Sequence, residues 1–534
     1  MGRANQALKN HTEARACYQR ILEIEPEKAT LVKDYLARVD LEEKKEAEEK
    51  AAWEEFEKGN EKAVAVLRLL EKLNQPEQIN MYYCGGLELL SQIITDGTGQ
   101  MLFRLNNGFS IISDNETVRS CLCQNSSAPF TDEFCISVLK VWNAVCRGNE
   151  ENQRLLLQYS VVKECVVQLL ASGNAEVQSQ CLALLCLYTQ TEHGLRLVTS
   201  LLDLHKLVGN LMNCLLHEEA FAERVLAVLD PLAEEQQFRI LMRENYTTLF
   251  VPPFVRHLRN ITPSSYSLLP SLISVMFSMN LDDVICRETA LCKEFWEACL
   301  VALDQCSHCE NKDVLSTVLG ILIKISSSPS PTVRDYAVPI SSRCLALVSC
   351  TDGHVITRSA GVLSFVLQQS HDAIEKAVRE GVVKIMLKLL KCSGQTTTRY
   401  CIKTLAVCTA VSQQAREDLL KLDKKLQTLR RLVSGAGPVE AGNAALSLGH
   451  CLDIPGVATA LVGTDVVLQL LRLAAGNPGN AEKPGNTRNT GNTQQNAAIT
   501  LGKLCKAEPR HTMKLRELHG LEILHSCLRQ NKEV

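Results

Sequence analysis

Apolar positions recur at helical spacing along most of the chain, and between Ala360 and Val433 one arrangement occurs twice. AGVLSFVLQQSHDAIEKAVREGVVKIMLKLL begins at Ala360 and IKTLAVCTAVSQQAREDLLKLDKKLQTLRRLV at Ile402, which sets Leu363 against Leu405 at an interval of 42 residues. Each copy predicts an apolar helix, a polar turn, a short charged helix and a second amphipathic helix. Taking the buried apolar position of each first helix as anchor gives Trp142, Leu185, Leu229, Met276, Ile321, Leu363, Leu405, Leu448 and Leu501, with intervals of 43, 44, 47, 45, 42, 42, 43 and 53. One such unit has nothing to bury its apolar face against, so the units must stack on one another.

A period in the low forties with this helix order is the armadillo/HEAT signature. The predicted fold is all-α: a right-handed α-solenoid of armadillo/HEAT-like repeats over 61–534, preceded by a partial tetratricopeptide repeat and a charged helix. The partial repeat covers 1–28, where Gly2, Ala14, Tyr18 and Pro26 fall at the offsets of the glycine, the A-x3-F pair and the closing proline of a 34-residue motif. Its missing front part leads us to expect a chain that starts inside a longer tetratricopeptide array, an N-terminally truncated form. Residues 29–60 read as a capping or connector helix with a thin apolar stripe of Leu31, Tyr35, Val39 and Leu41, an i,i+4 pair of Glu46 with Lys50, and a stop at Gly59-Asn60. The long final interval coincides with GNPGNAEKPGNTRNTGNT, so 476–493 is expected to be a disordered insertion. Residues 99–133 show no clear period, and QNSSAPFTDE reads as a loop.

Composition narrows the function classes. The chain has 534 residues, is 46% hydrophobic and only 5% aromatic, which suits an aliphatic helix-on-helix core, and its formal net charge of -3 gives no electrostatic case for nucleic acid or membrane. The amino terminus lacks a signal-peptide pattern and no run is long enough to span a bilayer, so the 23 cysteines read as reduced thiols of a cytoplasmic protein. Cys181, Cys186, Cys401, Cys408 and Cys451 fit small core positions of helices. Cys306-Ser307-His308-Cys309, after Cys286, Cys292 and Cys299, has zinc-competent residues, but the spacing of seven from Cys292 to Cys306 reads as one face of a continuing helix, and no second ligand pair stands out. Cys121 and Cys123 form a pair in an expected surface loop. No catalytic or phosphate-loop motif is present, so no enzyme activity and no cofactor are expected.

The candidate site is a protein-binding surface. The basic set Lys421, Lys424, Lys425, Arg430 and Arg431 alternates with leucines on an amphipathic segment and could meet acidic residues of a partner. Armadillo proteins that grip extended peptides present an asparagine two positions after the buried leucine; here those positions hold Ala144, Leu187, Phe365, Val407, His450 and Lys503. The missing ladder argues against extended tails and leaves His450 and Lys503 as the polar groups on that face.

The order of these parts, with LFRLNNGFSIISDNE from Leu102, GNEENQR from Gly148, REDLLKLDKKL from Arg416 and LGKLCKAEPR from Leu501, resembles a family of tetratricopeptide-and-armadillo proteins. The resemblance implies a cytoplasmic, non-enzymatic, co-chaperone-like factor for assembly of the axonemal dynein arms of motile cilia and sperm flagella. Its implied partners are dynein arm subunits and assembly factors, with chaperones as partners of a full-length form. A myosin-type motor chaperone or a general interaction adaptor of the same architecture is the alternative.

Overall fold

The computed structural model describes residues 1–534 apart from 77, 123–130, 218, 263–264, 308–311, 477–486 and 531–534, and the side chains of all described residues except 487–491 and 526–530. Every regular element among the described residues is helical, giving an all-α helical-repeat architecture. The chain divides into two compact units, Met1–Phe238 and Arg239–Val534.

The first unit opens with helices Gly2–Ala7 and His11–Ile24, a 3-10 turn Pro26–Lys28 and a long helix Ala29–Glu57. A Cβ on Gly2 would lie 2.7 Å from the Tyr18 ring, so the missing side chain lets the first two helices close on each other. Tyr18, 3% exposed, stacks on Tyr35 of the long helix at 5.0 Å between ring centroids. The long helix buries Val32, Val39 and Ala52, whereas Leu31 and Leu41 point outward, so two members of the expected stripe are surface residues. Nor does Glu46 pair with Lys50. It reaches back to Lys9 at 2.8 Å and His11 at 2.9 Å, which hold its carboxyl below the usual range, and Lys50 pairs with Glu54 instead. Cross-helix partners outcompete the local pair because the charged face rests on the first two helices. Gly59 is left-handed at φ +75, and the Asn60 side chain accepts from the amides of Lys62 and Ala63 to start the next helix, Glu61–Leu73.

Residues 97–122, which carry no legible period, form three short helices, Gly97–Leu105, Gly108–Ser113 and Glu116–Leu122. Six to nine residues are too few to establish a periodic pattern. Cys121 is buried in the last of them, not in a surface loop, and burial pushes its thiol up; Cys123 and the loop's 124–130 lie outside the described residues, while 131–133 belong to the following helix. The repeat helices then follow: Thr131–Cys146 packs on Ala175–Thr189, which packs on Ala222–Glu234. Their anchors Trp142, Leu185 and Leu229 are at most 1% exposed.

In the second unit the anchor helices are Leu268–Met279, Lys312–Ser326, Gly353–Val366, Gln395–Val411, Pro438–Cys451 and Thr487–Ala507, each packed on the next. Met276, Ile321, Leu363, Leu405, Leu448 and Leu501 are all buried in this ladder. The duplicated stretch folds as expected: Gly353–Val366 is followed by His371–Arg379 and Val382–Cys392, and Gln395–Val411 by Gln413–Leu422 and Gln427–Gly435. Two expectations hold only in part. Cys299 and Cys306 are buried on one helix, Lys293–Ser307, as their spacing of seven predicts, but Cys292 falls in the break before it and Cys286 lies on the preceding helix, Asp283–Leu291. His308 and Cys309 lie outside the described residues. The last ladder helix starts at Thr487, so 487–493 are helical; 477–486 lie outside the described residues.

The Thr487–Ala507 helix is held by a repeated contact. Thr493 and Thr500 donate to the carbonyls of Pro438 and Ala445, both at 2.8 Å. Asn496 and Lys503 donate to those of Gly442 and Gly449 at 3.4 and 3.3 Å. Gly442 and Gly449 admit the two threonines: a Cβ there would lie 2.8 and 2.5 Å from their hydroxyls. Thr493, at the end of the expected loop, thus belongs to a helix whose hydroxyl, amide and ammonium groups satisfy a neighbouring backbone.

Candidate functional site: the open face of the helix ladder

Each ladder helix buries its anchor and leaves the residue two positions later half-buried. In the second unit these are Ser278, Ile323, Phe365, Val407, His450 and Lys503. Two contacts reveal a stagger. A Cβ on Gly361 would touch Ile323, and the Lys403 ammonium lies 3.5 Å above the centroid of the Phe365 ring. The residue two after one anchor therefore meets the residue two before the next. Aromatic, aliphatic and cationic groups share this face, and no asparagine ladder runs along it.

At its carboxy-terminal end the face is polar. His450 Nδ1 is 3.1 Å from the Thr409 hydroxyl. Burial, then the charges of Lys503 and Arg416, bring its pKa down to about 4, so the imidazole is neutral near pH 7. Lys503 and Arg416 share one carboxylate, Asp453, at 3.0 and 3.8 Å, and Arg416 also donates to the Thr409 carbonyl at 2.8 Å. Two cations on one acid leave this end net positive. At the other end of the helix that carries His450, Glu440 is buried, with one carboxylate oxygen 2.9 Å from Arg399 Nε.

His450 and Lys503 are thus brought together. The other five predicted residues sit on the second and third helices of their repeat and on the turn between them. Lys421 lies 3.9 Å from Asp418; Arg430 pairs with Asp465 at 2.7 Å and donates to the Lys425 carbonyl; Arg431 donates to the Leu390 carbonyl at 3.4 Å. Lys424 and Lys425 are exposed in a 3-10 turn, where Lys425 is left-handed at φ +53. Lys403 escaped the sequence reading because only the position after each anchor was considered. The 38-residue step from Phe365 to Lys403, matching that from Ile323 to Gly361, was its available signal.

Elsewhere, a cavity of about 1190 Å³ in the first unit is lined by Leu67, Leu73, Tyr83, Asn106, Asp114 and Glu116 among others. Among the described residues no group of three or more His, Cys, Asp or Glu could hold a metal ion, and no single helix is long and apolar enough to cross a membrane. No disulfide joins the described cysteines. Burial pushes the thiols of Cys401, Cys408 and Cys451 up to about 12, far from a reactive thiolate.

No family model matches the chain. A crystal structure of an engineered protein superposes with a TM-score of 0.57 at 14% identity, covering 83% of this chain and 100% of that one, which supports the helical-repeat fold alone. Human tetratricopeptide repeat protein 12 is 41% identical over 533 residues, 99% of this chain and 74% of that protein. The mouse protein of the same name is 37% identical over the same share. With this identity and coverage, the chain belongs to the tetratricopeptide repeat protein 12 family.

Proposed function

We propose that this chain is a non-enzymatic scaffold that holds protein partners on the open face of its helix ladder, and that it serves the assembly of axonemal dynein arms in the cytoplasm before their delivery to motile cilia and flagella. The general scaffold role rests on the repeat architecture and family membership: stacked repeats offer a large preformed surface, with affinity supplied by a few anchors. The observation that carries the choice of face is the row of half-buried Ile323, Phe365, Val407 and His450, apolar and aromatic groups left uncovered along packed helices. Such a row suits a folded or helical partner, because nothing on it repeats the amide pairs that hold an extended backbone. The dynein assignment rests on the family resemblance. Affinity purification of the full chain from ciliated cells, with identification of bound motor chains, tests it: dynein arm chains should be enriched, and enrichment of myosin chains instead would favour the motor-chaperone alternative.

A further inference from the structure

Lys403 projects from the middle of the Gln395–Val411 helix onto the open face. Its ammonium is half-buried above the Phe365 ring, and burial alone brings its pKa down to about 8; among the described residues no carboxylate offsets that cost. An aromatic face attracts a cation but neutralises no charge. Six residues further along the same helix, about 9 Å by helical rise, Thr409 marks the cluster where Arg416 and Lys503 share the single carboxylate of Asp453. Among the described residues, Lys403, Arg416 and Lys503 therefore have only Asp453 between them, Glu440 being taken by Arg399, although the whole chain is slightly acidic at -3. His450, neutral between them, adds no compensating charge.

We infer that the Lys403–Phe365 pair is the anchor of a docking surface for an acidic protein segment, one that places a carboxylate on the Lys403 ammonium, an apolar side chain against Phe365 and Val407, and a second acid near Lys503 and Arg416. The inference rests on the ladder face being the binding surface and adds the chemistry of what docks there. A carboxylate arriving at Lys403 completes an ion pair whose lysine is already ordered and partly desolvated by packing. The partner thus gains a charge-assisted hydrogen bond without the usual cost of fixing a mobile lysine. Phe365 holds the ammonium in place and supplies the apolar contact beside it.

Two synthetic peptide arrays test this with the full chain: one tiling axonemal dynein arm chains, the other an unrelated library of equal acidic and apolar content. Bound peptides are remeasured in solution by fluorescence anisotropy, each beside its Asp→Asn or Glu→Gln counterpart. The expected result is that neutralising one acid weakens binding about tenfold or more. K403M should lose a similar factor and erase the difference between acidic and neutral peptides. K403R should keep the acidic preference, and K388M, at an exposed lysine of the neighbouring Val382–Cys392 helix, should change nothing. An unaltered circular dichroism spectrum and melting temperature for K403M exclude unfolding. Acid-dependent binding that K403M leaves intact, or no binding from either array, overturns the inference. Dynein peptides bound independently of Lys403 would leave the proposed function standing while this inference falls. Lys403-dependent binding confined to the unrelated library would do the reverse.

Discussion

Gly449→Ala should loosen the Thr487–Ala507 helix, although alanine is the better helix former. The added Cβ would sit 2.5 Å from the Thr500 hydroxyl and 3.4 Å from its Cβ, inside the contact that lets Thr500 donate to the Ala445 carbonyl at 2.8 Å. Either the helices move apart or the hydroxyl turns away. Overpacking of this kind costs about 1–3 kcal/mol, and the lost bond about another 1 kcal/mol. Alanine returns about 1 kcal/mol of helix propensity, leaving a net loss of about 1–3 kcal/mol. Gly502→Ala is the matched control: nothing lies within 4 Å of its Cβ position, so propensity alone should stabilise by up to about 1 kcal/mol. Repeat arrays lose terminal units first, so the assay is hydrogen exchange of peptides from Thr487–Ala507, read by mass spectrometry beside urea unfolding. Thr500→Ala alone should destabilise, yet in the Gly449→Ala background it should be neutral or stabilising, because it removes the clash. A Gly449→Ala helix as well protected as the wild type, or a Thr500→Ala cost that is equal in both backgrounds, would rule out the close contact between Gly449 and Thr500.

Other expectations concern the core, the histidine and the thiols. Leu405→Ala, at a fully buried anchor, should cost about 2–5 kcal/mol in urea unfolding. Because folding lowers the His450 pKa from about 6.5 to about 4, its neutral form contributes stability above pH 6.5 that drains away as pH falls from 6.5 towards 4. His450→Gln should flatten that part of the stability profile, and an unchanged slope would contradict the burial of the ring. In thiol labelling followed by mass spectrometry, exposed Cys392 should react promptly, whereas Cys401, Cys408 and Cys451 should react only on unfolding.

Much of the second unit was legible because its repeats vary little: Leu363, Leu405 and Leu448 fix the period, and the buried anchors follow it. Legibility failed where tertiary partners override local pattern. Glu46 has a good local partner in Lys50 but finds Lys9 and His11 across a helix boundary. Thr493 looks like a loop residue until Gly442 admits it and its hydroxyl meets the Pro438 carbonyl. The break at Cys292 leaves no mark in a spacing of seven. On the ladder face, His450 and Lys503 could be found from the anchors, but Lys403 could not, because its placement over Phe365 depends on the stagger between adjacent helices.

Docking on the open face of the ladder can be caught in ciliated cells by a photo-crosslinking amino acid placed at Phe365 and, in a second protein, at Lys388 on the neighbouring helix. Crosslinks to an axonemal dynein arm chain are expected from position 365 and none from 388. Crosslinks from 388 alone, or motor chains captured by the full protein without any crosslink from 365, would contradict docking on that face.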